Sequence, residues 1–125
     1  MTASSKTILC ADDSVTALTM HQMLLRAHGY RVVTAQDGIE AVDKACAESP
    51  DLILMDVVMP RMTGFEAVKQ LRSIPSTQAI PVIMVTTRAE PKVIEFCYSA
   101  GCNDYVNKPV DGVVLLSKIR ALVGL

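Results

Sequence analysis

The chain has 125 residues, half of them hydrophobic and one fifth charged, a composition that excludes disorder and supports one hydrophobic core. Twelve Lys and Arg against 13 Asp and Glu leave a net charge of −1 with no basic run, so neither nucleic acid nor a membrane surface is expected as a direct partner. Its apolar runs are far shorter than a bilayer span and MTASSK at the start carries no secretory signal, which leads us to expect a cytoplasmic protein with one domain over 1–125 and a flexible N-terminus over 1–5.

In chain order, TILCA (7–11) reads as a first strand and ends in Asp12-Asp13. A helix over 14–28 follows, with Ala17, Met20, Leu24 and Leu25 along one side and Gly29 as its stop. RVVTA (31–35) is the second strand. Asp37-Gly38 introduces a helix over 39–48 that carries Ile39, Val42, Ala45 and Cys46, with Ser49-Pro50 after it. DLILM (51–55) is the third strand and ends in Asp56; Phe65, Val68 and Leu71 mark a helix over 65–72. IPVIMV (80–85) is the fourth strand and leads into Thr86-Thr87. A helix over 91–100 then runs from Pro91, suited to a first turn, to Gly101, suited to a C-terminal cap. DYVN (104–107) is the fifth strand, followed by Lys108-Pro109 and a last helix over 111–123.

The first, third and fourth strands are nearly continuous in Val, Ile and Leu, as strands buried on both faces of a parallel sheet are. Strict alternation of strand and helix implies right-handed crossovers and helices on both sides of that sheet. The four cysteines, Cys10, Cys46, Cys97 and Cys102, form no CxxC pair and pair with neither histidine in a ligand-like way. They read as small buried thiols, with a transient disulfide between Cys97 and Cys102 left open.

Ligands of open α/β sheets bind outside the carboxyl ends of the strands. Asp12, Asp13, Asp56, Thr86 and Lys108 all stand at such ends. Taken singly, Asp13 could cap a helix, Thr86 could be a strand-end hydroxyl and Lys108 a solvated lysine. Asp56 is different, because an ionised carboxylate between LILM and VVMP is costly unless compensated. Three converging carboxylates also repel, and a hard divalent cation such as Mg2+ relieves both problems. One carboxylate is then free to attack phosphorus, with the cation, an ammonium and a hydroxyl to stabilise the equatorial oxygens.

At this point the chain resembles the receiver domains of bacterial two-component response regulators. The resemblance rests on ILCADDS, DLILMDVVMPRMTGFEA, IPVIMVTT and AGCNDYVNKPV, with 43 residues from Asp13 to Asp56, 30 on to Thr86 and 22 more to Lys108. It implies a flavodoxin-like α/β fold, five parallel strands in order 2-1-3-4-5 with five helices. It also implies that Asp56 is the phosphoacceptor, that Asp13 is a direct Mg2+ ligand and that Asp12 reaches the metal through water. Val58 would lend the metal its backbone carbonyl. Thr86 and Lys108 would meet the phosphoryl group, Tyr105 would act as the aromatic switch, and the Lys108–Pro109 peptide would be cis. The implied donor is a histidine kinase or phosphotransfer protein, and the chain would catalyse only its own phosphorylation and dephosphorylation.

Two positions depart from the family's usual pattern: Thr87, where a smaller residue is common, and Val110, where an aromatic often follows Lys-Pro. Two other classes fit less well. A haloacid-dehalogenase-type phosphatase resembles a D-x-D pattern, but Ser14 stands two residues after Asp12. A flavodoxin-like cofactor binder would want amides and hydroxyls where this chain offers two acids. Because the chain ends soon after its last helix, the expectation is a stand-alone receiver with output through a downstream protein. On helix four, Lys92, Glu95 and Ser99 form a polar arc of about 60°, and the apolar arc of about 200° exceeds one core-facing stripe. Phe96 is expected to be left exposed there, on a face made by helix four, strand five and helix five that would take a partner or a second copy.

Overall fold

A computed structural model describes residues 5–88 and 90–124. The elements alternate without exception: β1 (Thr7–Ala11), α1 (Val15–Ala27), β2 (Arg31–Ala35), α2 (Gly38–Glu48), β3 (Leu52–Asp56), α3 (Gly64–Ser73), β4 (Val82–Thr86), α4 (Pro91–Ala100), β5 (Asp104–Asn107) and α5 (Gly112–Val123). The five strands form one parallel sheet in the order β2-β1-β3-β4-β5, as expected. Of the expected flexible segment 1–5, only Ser5 falls among the described residues, where it is exposed and outside any element. None of the described helices is long and apolar enough to cross a membrane.

Side chains of successive strand residues point to opposite faces of a sheet, and the core divides accordingly. Leu9, Ile53, Met55, Val82 and Met84 pack beneath α2, α3 and α4. Ile8, Cys10, Leu54, Ile83 and Val85 pack beneath α1 and α5. β3 and β4 are buried along their whole length. Each fully buried Leu or Ile contributes roughly 2 kcal/mol, so the middle of the sheet is the most strongly held part of the molecule and its strand ends are firm supports.

Several boundaries differ from the sequence reading for identifiable reasons. β4 starts at Val82 rather than Ile80, because Pro81 has no N–H to give the ladder and offers only its carbonyl, to Ile53 at 2.9 Å. On α1 the buried stripe is Leu18, His21 and Leu25; of the expected side of Ala17, Met20, Leu24 and Leu25, Leu25 is buried, Ala17 and Leu24 are half-buried, and Met20 faces solvent. A histidine on the inner face hid that stripe from a reading by hydrophobicity. Cys46 is exposed, contrary to the expectation of four buried thiols, because it lies one step of about 100° beyond the Val42–Ala45 stripe of α2.

Four of the five described helix starts, all but that of α4, are capped by side chains. Ser14, Asp37 and Asp111 accept backbone N–H groups, and Thr63 forms a reciprocal capping box with Glu66. Since Ser14 caps α1, Asp13 is not needed for that task. The cap at Thr63 closes the loop that follows Asp56, and the Gly64 amide donates to the Val57 carbonyl at 2.8 Å. A Cβ on Gly64 would collide with the Asp56 carbonyl oxygen. Gly64→Ala is therefore expected to lower stability by about 2–4 kcal/mol and to weaken Mg2+ binding through displacement of Asp56; urea unfolding and metal titration read the two effects separately.

Candidate functional site

The carboxyl edge of the sheet gathers the charged residues that the sequence placed at strand ends. Asp12 and Asp13 follow β1, Asp56 closes β3, Thr86 closes β4 and Lys108 follows β5. One carboxylate oxygen from each of Asp12, Asp13 and Asp56 lies within 4.8 Å of the others. Asp12 and Asp56 are buried, at 2% and 6% exposure, whereas Asp13 is open to solvent. The Lys108 ammonium stands 2.9 Å from Asp12 Oδ2 and 3.5 Å from Asp56 Oδ1. Asp12 spends its other oxygen on the Ser14 amide, at 2.9 Å, so its orientation is fixed from two sides.

Electrostatics distinguishes these groups. Burial pushes the Asp56 carboxyl up to about 6, the charges of Asp12 and Asp13 push the same way, and Lys108 opposes them without prevailing. Burial by itself would lower Lys108, but its hydrogen bond to Asp12 and the charges of Asp56 and Asp12 move it upward on balance. Three carboxylates against one ammonium leave two uncompensated negative charges among hard oxygen donors. That set fits Mg2+, which takes oxygen ligands and keeps several waters. The acidic pocket of Asp12, Asp13 and Asp56 is the metal-binding pocket of this domain.

Thr86 is buried and its hydroxyl is occupied locally. Oγ1 donates to the Arg88 carbonyl at 2.8 Å and accepts from the Arg88 amide at 2.9 Å. The Arg88 guanidinium pairs with Glu90 at 3.2 Å. Tyr105 is half-buried; its ring meets Tyr98 edge-on, with centroids 6.5 Å apart, and carries the Lys118 ammonium 4.9 Å above it. The Val58 side chain is 72% exposed, as a residue serving only through its backbone would allow. The Lys108–Pro109 peptide is cis, as the resemblance implied.

One participant escaped the sequence reading. His21 lies buried beside Asp12 and Lys108 and lines a cleft of about 490 Å3 with Met20, Leu24, Pro109 and Val110. Burial holds its imidazole below the usual range, the Asp12 charge opposing and the Lys108 charge reinforcing that shift. Its spacing from Leu18 and Leu25, three and four residues, was the available signal. Val110 closes this cleft from the α5 side, so the smaller residue after Lys-Pro still serves as packing.

A doubly wound sheet with three acids, a hydroxyl and an ammonium at its carboxyl edge defines a phosphoacceptor signalling domain rather than a conventional enzyme. The chain belongs to the response regulator receiver domain family, whose model matches residues 8–120. It is 41% identical over 116 residues to the protein PilH of Pseudomonas aeruginosa, covering 93% of this chain and 96% of PilH. The chemotaxis protein CheY4 of Vibrio cholerae superposes with a TM-score of 0.90 at 34% identity, over 95% of this chain and 99% of that one. The receiver domain of the sensor histidine kinase PA1611 of Pseudomonas aeruginosa also reaches 0.90, at 33% identity over 98% and 100%, and holds a magnesium ion in its active-site cleft. Membership makes the chain a partner of histidine kinases and removes the haloacid-dehalogenase and cofactor-binding readings.

The raised Asp56 carboxyl predicts a pH signature. A carboxylate that is harder to ionise in the folded chain costs nothing below its ordinary value of 3.8, and its penalty grows until the pH passes about 6. Asp56→Asn removes that penalty. In metal-free buffer the variant is expected to be more stable than the parent by about 1–3 kcal/mol at pH 7 and nearly equal to it at pH 4. Added Mg2+ should stabilise the parent more than the variant. Thermal unfolding at both pH values, with chelator and with Mg2+, checks all three outcomes.

Proposed function

We propose that Asp56 is the phosphoacceptor, and that this receiver takes its phosphoryl group from the phosphohistidine of a kinase or of a phosphotransfer protein. The observation that carries the reading is the position of Asp56, a buried carboxylate between two further acids with the Lys108 ammonium 3.5 Å away. An Asp56 oxygen bonds to phosphorus as the phosphorus–nitrogen bond of the donor breaks, and the departing imidazole keeps the electron pair. Asp12, Asp13 and Asp56, with the Val58 carbonyl, would hold the Mg2+, which would supply positive charge to neutralise the phosphoryl oxygens. Lys108 stays beside the new phosphoryl group and preserves charge balance at Asp56.

Thr86 converts that event into a structural one. To donate to the phosphoryl group, its hydroxyl gives up both bonds to the Arg88 backbone, which releases the start of the β4–α4 connection. Tyr105 lies two ladder positions before that end, opposite Met84, and its contacts with Tyr98 and Lys118 span β5, α4 and α5. Along the exposed side of α4, Tyr98 is 46% exposed on the Tyr105 side, and Phe96 is 59% exposed on the α3 side, its ring 6.0 Å from that of Phe65. Output then passes through a downstream protein or a second copy docked on α4, β5 and α5, within a cytoplasmic pathway and without direct nucleic-acid contact. The whole of 1–125 acts as one receiver.

Three variants test this. Asp56→Asn is expected to abolish labelling by acetyl phosphate and Mg2+, and a label that persists on Asp12 or Asp13 would refute the assignment. Lys108→Ala should retain Mg2+ binding while the Tyr105 resonances cease to respond to beryllofluoride. Phe96→Ser should leave stability within about 0.5 kcal/mol, as exposed substitutions do, yet weaken self-association or partner capture in beryllofluoride and Mg2+. Unchanged association, read by analytical ultracentrifugation and pull-down, would move the output surface elsewhere.

A further inference from the structure

Cys97 and Cys102 meet where α4 ends, and the phosphoacceptor chemistry uses neither. The helix is closed by Gly101 in the left-handed region, φ 111°, where no side chain is tolerated cheaply. Its amide donates to the Tyr98 carbonyl at 3.0 Å, and the Cys102 amide reaches back to the Cys97 carbonyl at 3.1 Å. Those two bonds are a Schellman closure, which brings the third residue from the helix end against the second residue beyond it. Here both of those residues are cysteines. Both are buried in the same cluster beneath α4. The other two cysteines are elsewhere: Cys10 lies in the core on the opposite side of the sheet, and Cys46 is exposed on α2.

We propose that Cys97 and Cys102 are a dithiol modification site, which a peroxide oxidises to a disulfide that staples the end of α4 to the turn entering β5. In the proposed order Cys97 loses its proton first, once the helix end opens, and its thiolate is the attacking sulfur. It attacks one peroxide oxygen, the oxygen–oxygen bond breaks, and a sulfenic acid forms while the departing hydroxide takes up a proton as water. Cys102 then attacks the sulfenic sulfur, the sulfur–oxygen bond breaks, and a second water leaves. Two thiols give up two electrons and two protons in all, and one peroxide becomes two waters.

Burial governs when this happens. It raises both thiols, Cys102 to about 12, so the closed structure keeps both protonated and slow to react. Oxidation therefore follows opening of the helix end. Once formed, the disulfide fixes the turn between the two elements that carry Tyr98 and Tyr105, whose rings touch across it.

The test uses the full chain with Cys46→Ser, treated with hydrogen peroxide, alkylated under denaturing conditions and mapped by mass spectrometry. The tryptic peptide 93–118, which spans the uncleaved Lys108–Pro109 bond, contains both cysteines. It is expected to lose about 2 Da, to resist alkylation, and to return to a doubly alkylated form after reductant. Cleavage between the two cysteines should leave the fragments joined. The same peptide should show amide exchange at residues 101 and 102 slowed about tenfold in the oxidised chain. A peptide that takes up two alkyl groups after peroxide would overturn the proposal, as would one that only gains oxygen or is linked to Cys10 or a second chain. Cys97→Ser and Cys102→Ser should each abolish the 2 Da loss, and loss surviving in either would overturn it equally. Neither readout involves phosphoryl transfer, so the outcome is independent of the role given to Asp56.

Discussion

Everything in this molecule turns on how two buried carboxylates are kept at neighbouring strand ends. Asp12 and Asp56 share one ammonium, Lys108, which arrives from the far side of the sequence at 2.9 and 3.5 Å. Oxygens of Asp12, Asp13 and Asp56 come within 4.8 Å of one another, where like charges repel strongly in a medium less polar than water. One lysine cannot cancel three acids, and the two negative charges left over match one divalent cation. Burial raises the Asp56 carboxyl, the neighbouring acids add to that rise, and the same deficit fits the pocket to Mg2+. It also explains why the site is ready for a phosphoryl group, which enters only with its charge already countered.

Strand order supplies the geometry for this arrangement. Because β2 lies on one side of β1 and β3 on the other, the chain reverses its winding there and leaves a crevice at the carboxyl edge. β4 separates β3 from β5, so Thr86 stands between the acids and the lysine's own strand. The strands that carry Asp56 and Thr86 are the two buried throughout, which holds their ends firmly. The proposed switch acts on the connection beyond Thr86, which is tied to it by the two hydrogen bonds of one hydroxyl.

The structure around α4 shows how such a local change is confined. Arg72 on α3 donates to the Gly101, Gln78 and Ile80 carbonyls and to the Asn103 side chain, which anchors the α4–β5 turn from below. Lys118 on α5 does the same for β5, through Asp104 and the Tyr105 carbonyl. The C-terminal end of α4 is thus pinned while its N-terminal approach depends on Thr86. Under the proposed switch, a pivot of this form would couple the site to the exposed side of α4, and a disulfide at Cys97 and Cys102 would stiffen its pinned end.

The order of elements and the composition of the site were legible because both are written locally. Continuous Val, Ile and Leu runs made buried strands, Gly101 and Pro91 bounded α4, and Asp56 stood out as a charge inside an apolar stretch. Phe96 was identifiable as surplus because one helix can bury only one stripe, and it is exposed. Local reading went wrong where identity and environment disagree. His21 occupies an inner position that hydrophobicity assigns to others, Met20 faces solvent, and Cys46 falls just off its stripe. The sequence by itself determined which groups stand at the strand ends, since spacing and periodicity are properties of consecutive residues. Only the tertiary structure decided that Lys108 bridges Asp12 and Asp56, that Thr86 is held by Arg88, and that Cys97 faces Cys102. Those contacts depend on distances and side-chain orientations that chain separation does not specify.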